Sequence, residues 1–117
     1  MIIWENEIWE QKLSIFFPGH EVITGNIRVV TVNAYMGDYE IVGEDMAAIL
    51  GYENVEDALV KYVKPGNKRV GVVIYDLLPY RKKQMLTVIN STGVVNLISS
   101  SKFYTGGAVK LKCHKWK

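Results

Sequence analysis

In Val42 to Val63, VGEDMAAILGYENVEDALVKYV, apolar spacing, turn chemistry and capping agree on two short helices, and the rest of the chain is arranged around them. Glu44 and Asp45 put negative charge where the first turn of a helix favours it. Met46, Ala47, Ile49 and Leu50 supply an apolar face that stops at Gly51, the residue type expected just past a helix end. A first helix over Glu44 to Leu50 follows. Asn54, with Asp57 three residues on, reads as an N-cap whose side-chain oxygen satisfies a backbone donor. Ala58, Leu59, Tyr62 and Val63 continue at helical spacing, so a second helix runs from Val55 to Val63 and is closed by Pro65-Gly66. Two short helices across a glycine-opened turn match the outline of a helix-turn-helix, and equally that of any compact domain holding such a pair. Glu53, Glu56 and Asp57 at the start of the second helix repel phosphate, which leaves Asn54, Lys61 and Lys64 as the side chains suited to holding DNA there.

Before the helical pair, Ile27 to Asn33 (IRVVTVN) reads as a strand, with Tyr39 to Val42 its hairpin partner across Met36-Gly37-Asp38. Leu13 to Phe17 is apolar and β-prone up to the Pro18-Gly19 turn. The opening, with Trp4 and Trp9, fits a helix or a strand. After the helical pair comes a second β region, Arg69 to Tyr75 and Gln84 to Ile89, joined through a segment with three consecutive cations, Arg81, Lys82 and Lys83. That makes a hairpin with a basic tip, suited to lying along a DNA backbone. Asn90 and Ser91 start a third helix, Thr92 to Ser100, with Val94, Val95, Leu97 and Ile98 on its buried side. Beyond Lys102 the pattern degrades. Lys110, Lys112, Lys115 and Lys117 interleaved with Trp116 are suited to gripping a nucleic-acid backbone, but a frayed basic terminus is the expected state. The whole is an α+β fold: small β-sheet regions flanking a helix-turn-helix-like pair, the basic-tipped hairpin and a third helix.

The chain of 117 residues is expected to form one domain, 1–117. No apolar run reaches the roughly eighteen residues of a membrane-spanning helix, and the N-terminus lacks the pattern of a secretory signal. Cys113 is alone, so no internal disulfide forms and a reducing, cytoplasmic compartment is expected. The formal charge of +2 hides a division of sign. Residues 1–60 set Lys12 and Arg28 against eleven carboxylates, a balance of −9, whereas residues 61–117 set twelve Lys and Arg against Asp76, a balance of +11. Such asymmetry points to a polyanion partner; the alternatives are halves that face each other and partly cancel, or solvated faces.

Catalytic and metal chemistry find no support. Gly106-Gly107 lacks the spacing and following Lys-Ser/Thr of a phosphate loop. Cys113-His114 lacks ligand-pair spacing, with only His20 as a further thiol or imidazole. The adjacent carboxylates Glu44-Asp45 and Glu56-Asp57 diverge on a helix and are explained by helix-start electrostatics. No enzyme, metal or cofactor is expected.

Two separated motifs resemble a known family. Ile41-Val42-Gly43-Glu44-Asp45-Met46-Ala47 followed by Leu50-Gly51-Tyr52-Glu53-Asn54, Ala58-Leu59 and Tyr62-Val63 is similar to the first signature of the Bro-N domain, the N-terminal module of phage antirepressors and baculovirus BRO proteins. Ile89-Asn90-Ser91-Thr92-Gly93-Val94-Val95-Asn96-Leu97-Ile98 with Ser101-Lys102 resembles the second. The likeness covers about residues 15–102; residues 103–117 form a divergent basic tail where the family continues into a further helix. The resemblance implies a phage or prophage regulator in the cytoplasm of a bacterial host, acting on DNA, at an operator or non-specifically, or on a repressor protein. For the first, Lys68, Arg69, Arg81, Lys82 and Lys83 are the expected backbone contacts, with Asn54 and Lys61 on the helix. For the second, the acidic first half with Trp4 and Trp9 is the working surface.

Overall fold

The computed structural model describes residues 8–33, 38–75 and 83–114. Three strands open it, β1 (Ile8–Phe16), β2 (Ile23–Asn33) and β3 (Asp38–Val42), as an antiparallel meander. Two helices follow directly, α1 (Gly43–Ile49) and α2 (Val55–Tyr62), then a 3-10 turn at Pro65–Asn67. The strands β4 (Lys68–Tyr75) and β5 (Lys83–Ile89), the helix α3 (Ser91–Ser100) and the strand β6 (Lys110–His114) complete the order.

The β regions on either side of the helical pair are one sheet of six strands, ordered β4-β5-β3-β2-β1-β6 with every neighbour antiparallel. They join because β5 returns beside β3, setting Ile89 opposite Ile41 and Val88 opposite Val42. This α+β architecture is the class the sequence indicates. The basic terminus differs from its reading as frayed: Lys110 to His114 pair with β1 from Phe16 back to Lys12. Without β6, β1 would present a row of unpaired backbone donors and acceptors. Val109, just before the strand, packs against the core and anchors it.

All three helices cover one face of the sheet. Leu13, Ile15, Ile27, Val29 and Ile89 meet Met46, Ala47 and Leu50 of α1, Leu59 and Val63 around α2, and Val94, Leu97 and Ile98 of α3 in a continuous buried cluster. Val30, Val42 and Val88 form a second, smaller cluster. Alternation along each strand assigns them to the opposite face from Val29, Ile41 and Ile89.

Local chemistry places each helix end. Gly51 takes a left-handed φ of +79°. The N–H of Gly51 reaches the Ala48 carbonyl and that of Tyr52 the Ala47 carbonyl, at 3.1 and 3.2 Å, which completes the paired bonds of a Schellman C-terminus. Asn54 accepts the Asp57 N–H at 3.0 Å and Asn90 accepts the Gly93 N–H at 2.9 Å, so both side-chain caps fall where they are expected. Tyr52 ties the α1–α2 turn to α3 by donating to the Leu97 carbonyl at 2.7 Å, and burial pushes its phenol up to about 12.

Candidate nucleic-acid interface

The helical pair is held by the two carboxylates that open α1. Among the described residues no side chain caps α1. Instead Glu44 and Asp45 straddle the end of the central strand β3 and complete the ladders that β3 leaves unfinished. Glu44 accepts the Thr87 N–H of β5 with both oxygens, at 3.1 and 3.0 Å. Asp45 accepts the Arg28 N–H of β2 at 2.9 Å, and also the Nε and Nη2 of the same Arg28, each at 2.9 Å. Helix-start charge is part of their role, and fastening α1 to both neighbouring strands is the rest. A Glu-Asp pair at a strand-to-helix junction is the signal in the sequence, but its partners lie in strands whose pairing no local pattern fixes.

Burial raises the Glu44 carboxyl above its ordinary value, against the lowering effect of its own N–H and that of Thr87. A carboxyl raised on folding stabilises most when protonated, and its contribution is lost as pH climbs from the ordinary value through the raised one. Urea midpoints of the wild type and Glu44→Gln between about pH 4 and 7 are therefore expected to diverge, the wild type losing ground to the variant as pH rises. Parallel midpoints would remove Glu44 as the source.

The expected DNA contacts fall in three places. Asn54 spends its carbonyl oxygen on the α2 cap. Lys61 is exposed and pairs with Asp57 one turn back at 3.4 Å, an arrangement worth little in stability that leaves the ammonium within reach of a ligand. Lys68 donates to the Leu59 carbonyl at 2.8 Å, in the last turn of α2 where cations are favoured. Arg69 makes a forked ion pair with Glu40 across the sheet, with Nε at 3.1 Å from Oε2. These two cations brace β4 against α2 and β3. Arg81 and Lys82 lie outside the described residues, and Lys83 enters as the first residue of β5. Trp4 also lies outside the described residues.

A groove of about 320 Å³ runs between α2 and the β4–β5 pair, with Glu44, Leu59, Val60, Lys68, Val70 and Met85 among its walls. Val60, Val70 and Met85 are exposed along it. The sequence reading missed this groove, since its apolar residues sit on the solvent sides of three separate elements. Among the described residues no helix is long and apolar enough to cross a membrane.

A family model described as the BRO family, N-terminal domain, matches residues 26–112. It begins later than the likeness read from the motifs and runs ten residues further, to Lys112 in β6. No curated protein and no solved structure matches the chain.

Proposed function

Because this chain belongs to the BRO family N-terminal domain, we propose that it is a phage or prophage regulator that works by holding the backbone of duplex DNA. The domain is associated with antirepressor-like, DNA-binding regulators of phages and baculoviruses. The observation that carries the reading is the division of charge, with eleven surplus positive charges after residue 60, three of them consecutive at Arg81, Lys82 and Lys83. In this reading those three neutralise phosphates from the segment that leads into β5. Lys68 and Arg69 support them from the base of β4, and Lys61 and the Asn54 amide add contacts from α2. A bacterial cytoplasm is the compartment that such a regulator requires.

Fluorescence anisotropy of a labelled duplex at about 50 and 200 mM salt tests it. The three phosphate contacts of Arg81, Lys82 and Lys83 contribute about −2.7 to the log–log salt slope, at about −0.9 for each. Replacing Arg81, Lys82 and Lys83 together with alanine is expected to flatten that slope and weaken binding at least about tenfold at the lower salt. Binding indifferent to salt overturns the reading.

The apolar groove between α2 and β4–β5 favours a second reading, a module that seizes a repressor protein without touching DNA. Val60, Val70 and Met85 offer the solvent-facing apolar surface that a protein partner buries. The same triple alanine variant separates the two, since a repressor binder keeps its activity without the basic tip.

A further inference from the structure

The β1–β6 pair collects basic side chains that the sequence keeps far apart. Leu13 and Ile15 point into the helix-covered core, so Lys12, Ser14 and Phe16 point to the other face of the sheet. Residues directly opposite in an antiparallel pair share a face. Lys112 stands opposite Ser14 and Lys110 opposite Phe16, while on the other side of β1 Asn26 stands opposite Lys12 and Thr24 opposite Ser14. Lys12, Lys110 and Lys112 are all exposed. None of them makes an ion pair among the described residues. Ser14 and Thr24 share a hydroxyl hydrogen bond of 3.3 Å between them.

The spacing is regular. Lys110 and Lys112 are two residues apart on one strand, about 6.8 Å at the usual antiparallel rise. Lys12 lies diagonally across from Lys112, about 7–8 Å away. The three lysines thus step along the sheet at about 7 Å, so each can meet a different phosphate of one strand. The exposed Thr24 and Asn26 lie beside them, with a hydroxyl and an amide of the kind that add hydrogen bonds to phosphate oxygens. Edge protection explains lysines on β6, which has no outer neighbour among the described residues. It does not explain Lys12, which sits on the inner strand β1 and lines up with them.

We infer that the sheet face opposite the helices at β2-β1-β6 is a second DNA contact surface, with Lys12, Lys112 and Lys110 neutralising successive phosphates of a duplex backbone beside Thr24 and Asn26. It takes its ligand class from the DNA reading proposed above, but it uses other residues, at the opposite edge of the sheet from β4. It binds without reading sequence, because nothing in it is shaped to enter a groove.

The test uses the full chain with Lys12, Lys110 and Lys112 changed together to Gln, the same three changed to Arg, and the Arg81/Lys82/Lys83 alanine variant, each checked for fold by circular dichroism. Anisotropy with a mixed-sequence duplex across salt is the readout. The glutamine variant is expected to bind about tenfold or more weakly at about 50 mM salt with a slope shallower by about 2.7, while the arginine variant keeps wild-type binding. A glutamine variant that binds like wild type while the hairpin variant fails overturns this surface and leaves the DNA reading standing. Loss in the glutamine variant alone supports the surface and removes the hairpin assignment. A folded wild type that binds no duplex overturns both. If the glutamine variant loses affinity for anionic phosphatidylserine vesicles and keeps it for DNA, the strip is a lipid surface and the inference fails.

Discussion

Asp45→Ala is expected to lower stability by about 2–3 kcal/mol, read as a shift of the urea midpoint at unchanged slope. The carboxylate holds three hydrogen bonds of 2.9 Å from one residue, two from the Arg28 guanidinium and one from its backbone N–H. Both side chains are about one-fifth exposed, so the loss stays below the roughly 3–5 kcal/mol of breaking a fully buried pair. What distinguishes this aspartate from an ordinary ion-pair partner is the backbone contact. Arg28→Ala leaves Asp45 still accepting the N–H of residue 28, so it is expected to cost less than Asp45→Ala. Equal costs would mean that the contact to the β2 backbone contributes nothing and that α1 is held by charge alone.

Gly93→Ala is the second large effect, and its sign is opposite to the one helix propensity implies. In a solvent-exposed helix alanine gains about 1 kcal/mol over glycine. Here a Cβ at residue 93 would lie 2.9 Å from the Asn67 carbonyl oxygen, 2.9 Å from the Ile89 Cβ and 3.3 Å from a Val63 methyl. The first two are backbone or fixed to it, so no rotamer change relieves the contact. Overpacking is expected to outweigh propensity and leave the variant about 1–3 kcal/mol less stable, with valine worse. Gly66→Ala is the matched control: among the described residues no atom lies within 4 Å of its added Cβ, and a change within about 0.5 kcal/mol is expected. A Gly93→Ala protein as stable as the wild type would show that α3 does not approach the 3-10 turn so closely.

The sequence is most informative where structure is made by near neighbours. Gly51 ends α1 and Asn54 starts α2 because a left-handed residue and a side-chain cap act within four positions of themselves. Asn90 marks the start of α3 for the same reason. The second use of Glu44 and Asp45 is not readable in this way, since their acceptor roles depend on Thr87 and Arg28, supplied by β5 and β2. Residues 110–114 look like a basic terminus when judged by their own composition, and only the unsatisfied edge of β1 makes them a strand. Of the DNA contacts expected on β4, Lys68 and Arg69 look in sequence like any other surface cations. It takes Leu59 and Glu40, brought near by the fold, to turn them into braces.

The pairing of β1 with β6 also sets an order in time. Lys12 faces His114 across that ladder, so closing it encloses nearly the whole chain, and the entropy of so long a loop is spent before the contact returns anything. The β1–β2–β3 meander needs no such closure, and neither does the packing of α1 on α2. The lysine strip is therefore expected to form late in folding, after the elements that support it. A chain caught part-way, with its acidic half formed and β6 still loose, has Lys12 without its two companions, so the phosphate surface is itself a sign that folding is complete.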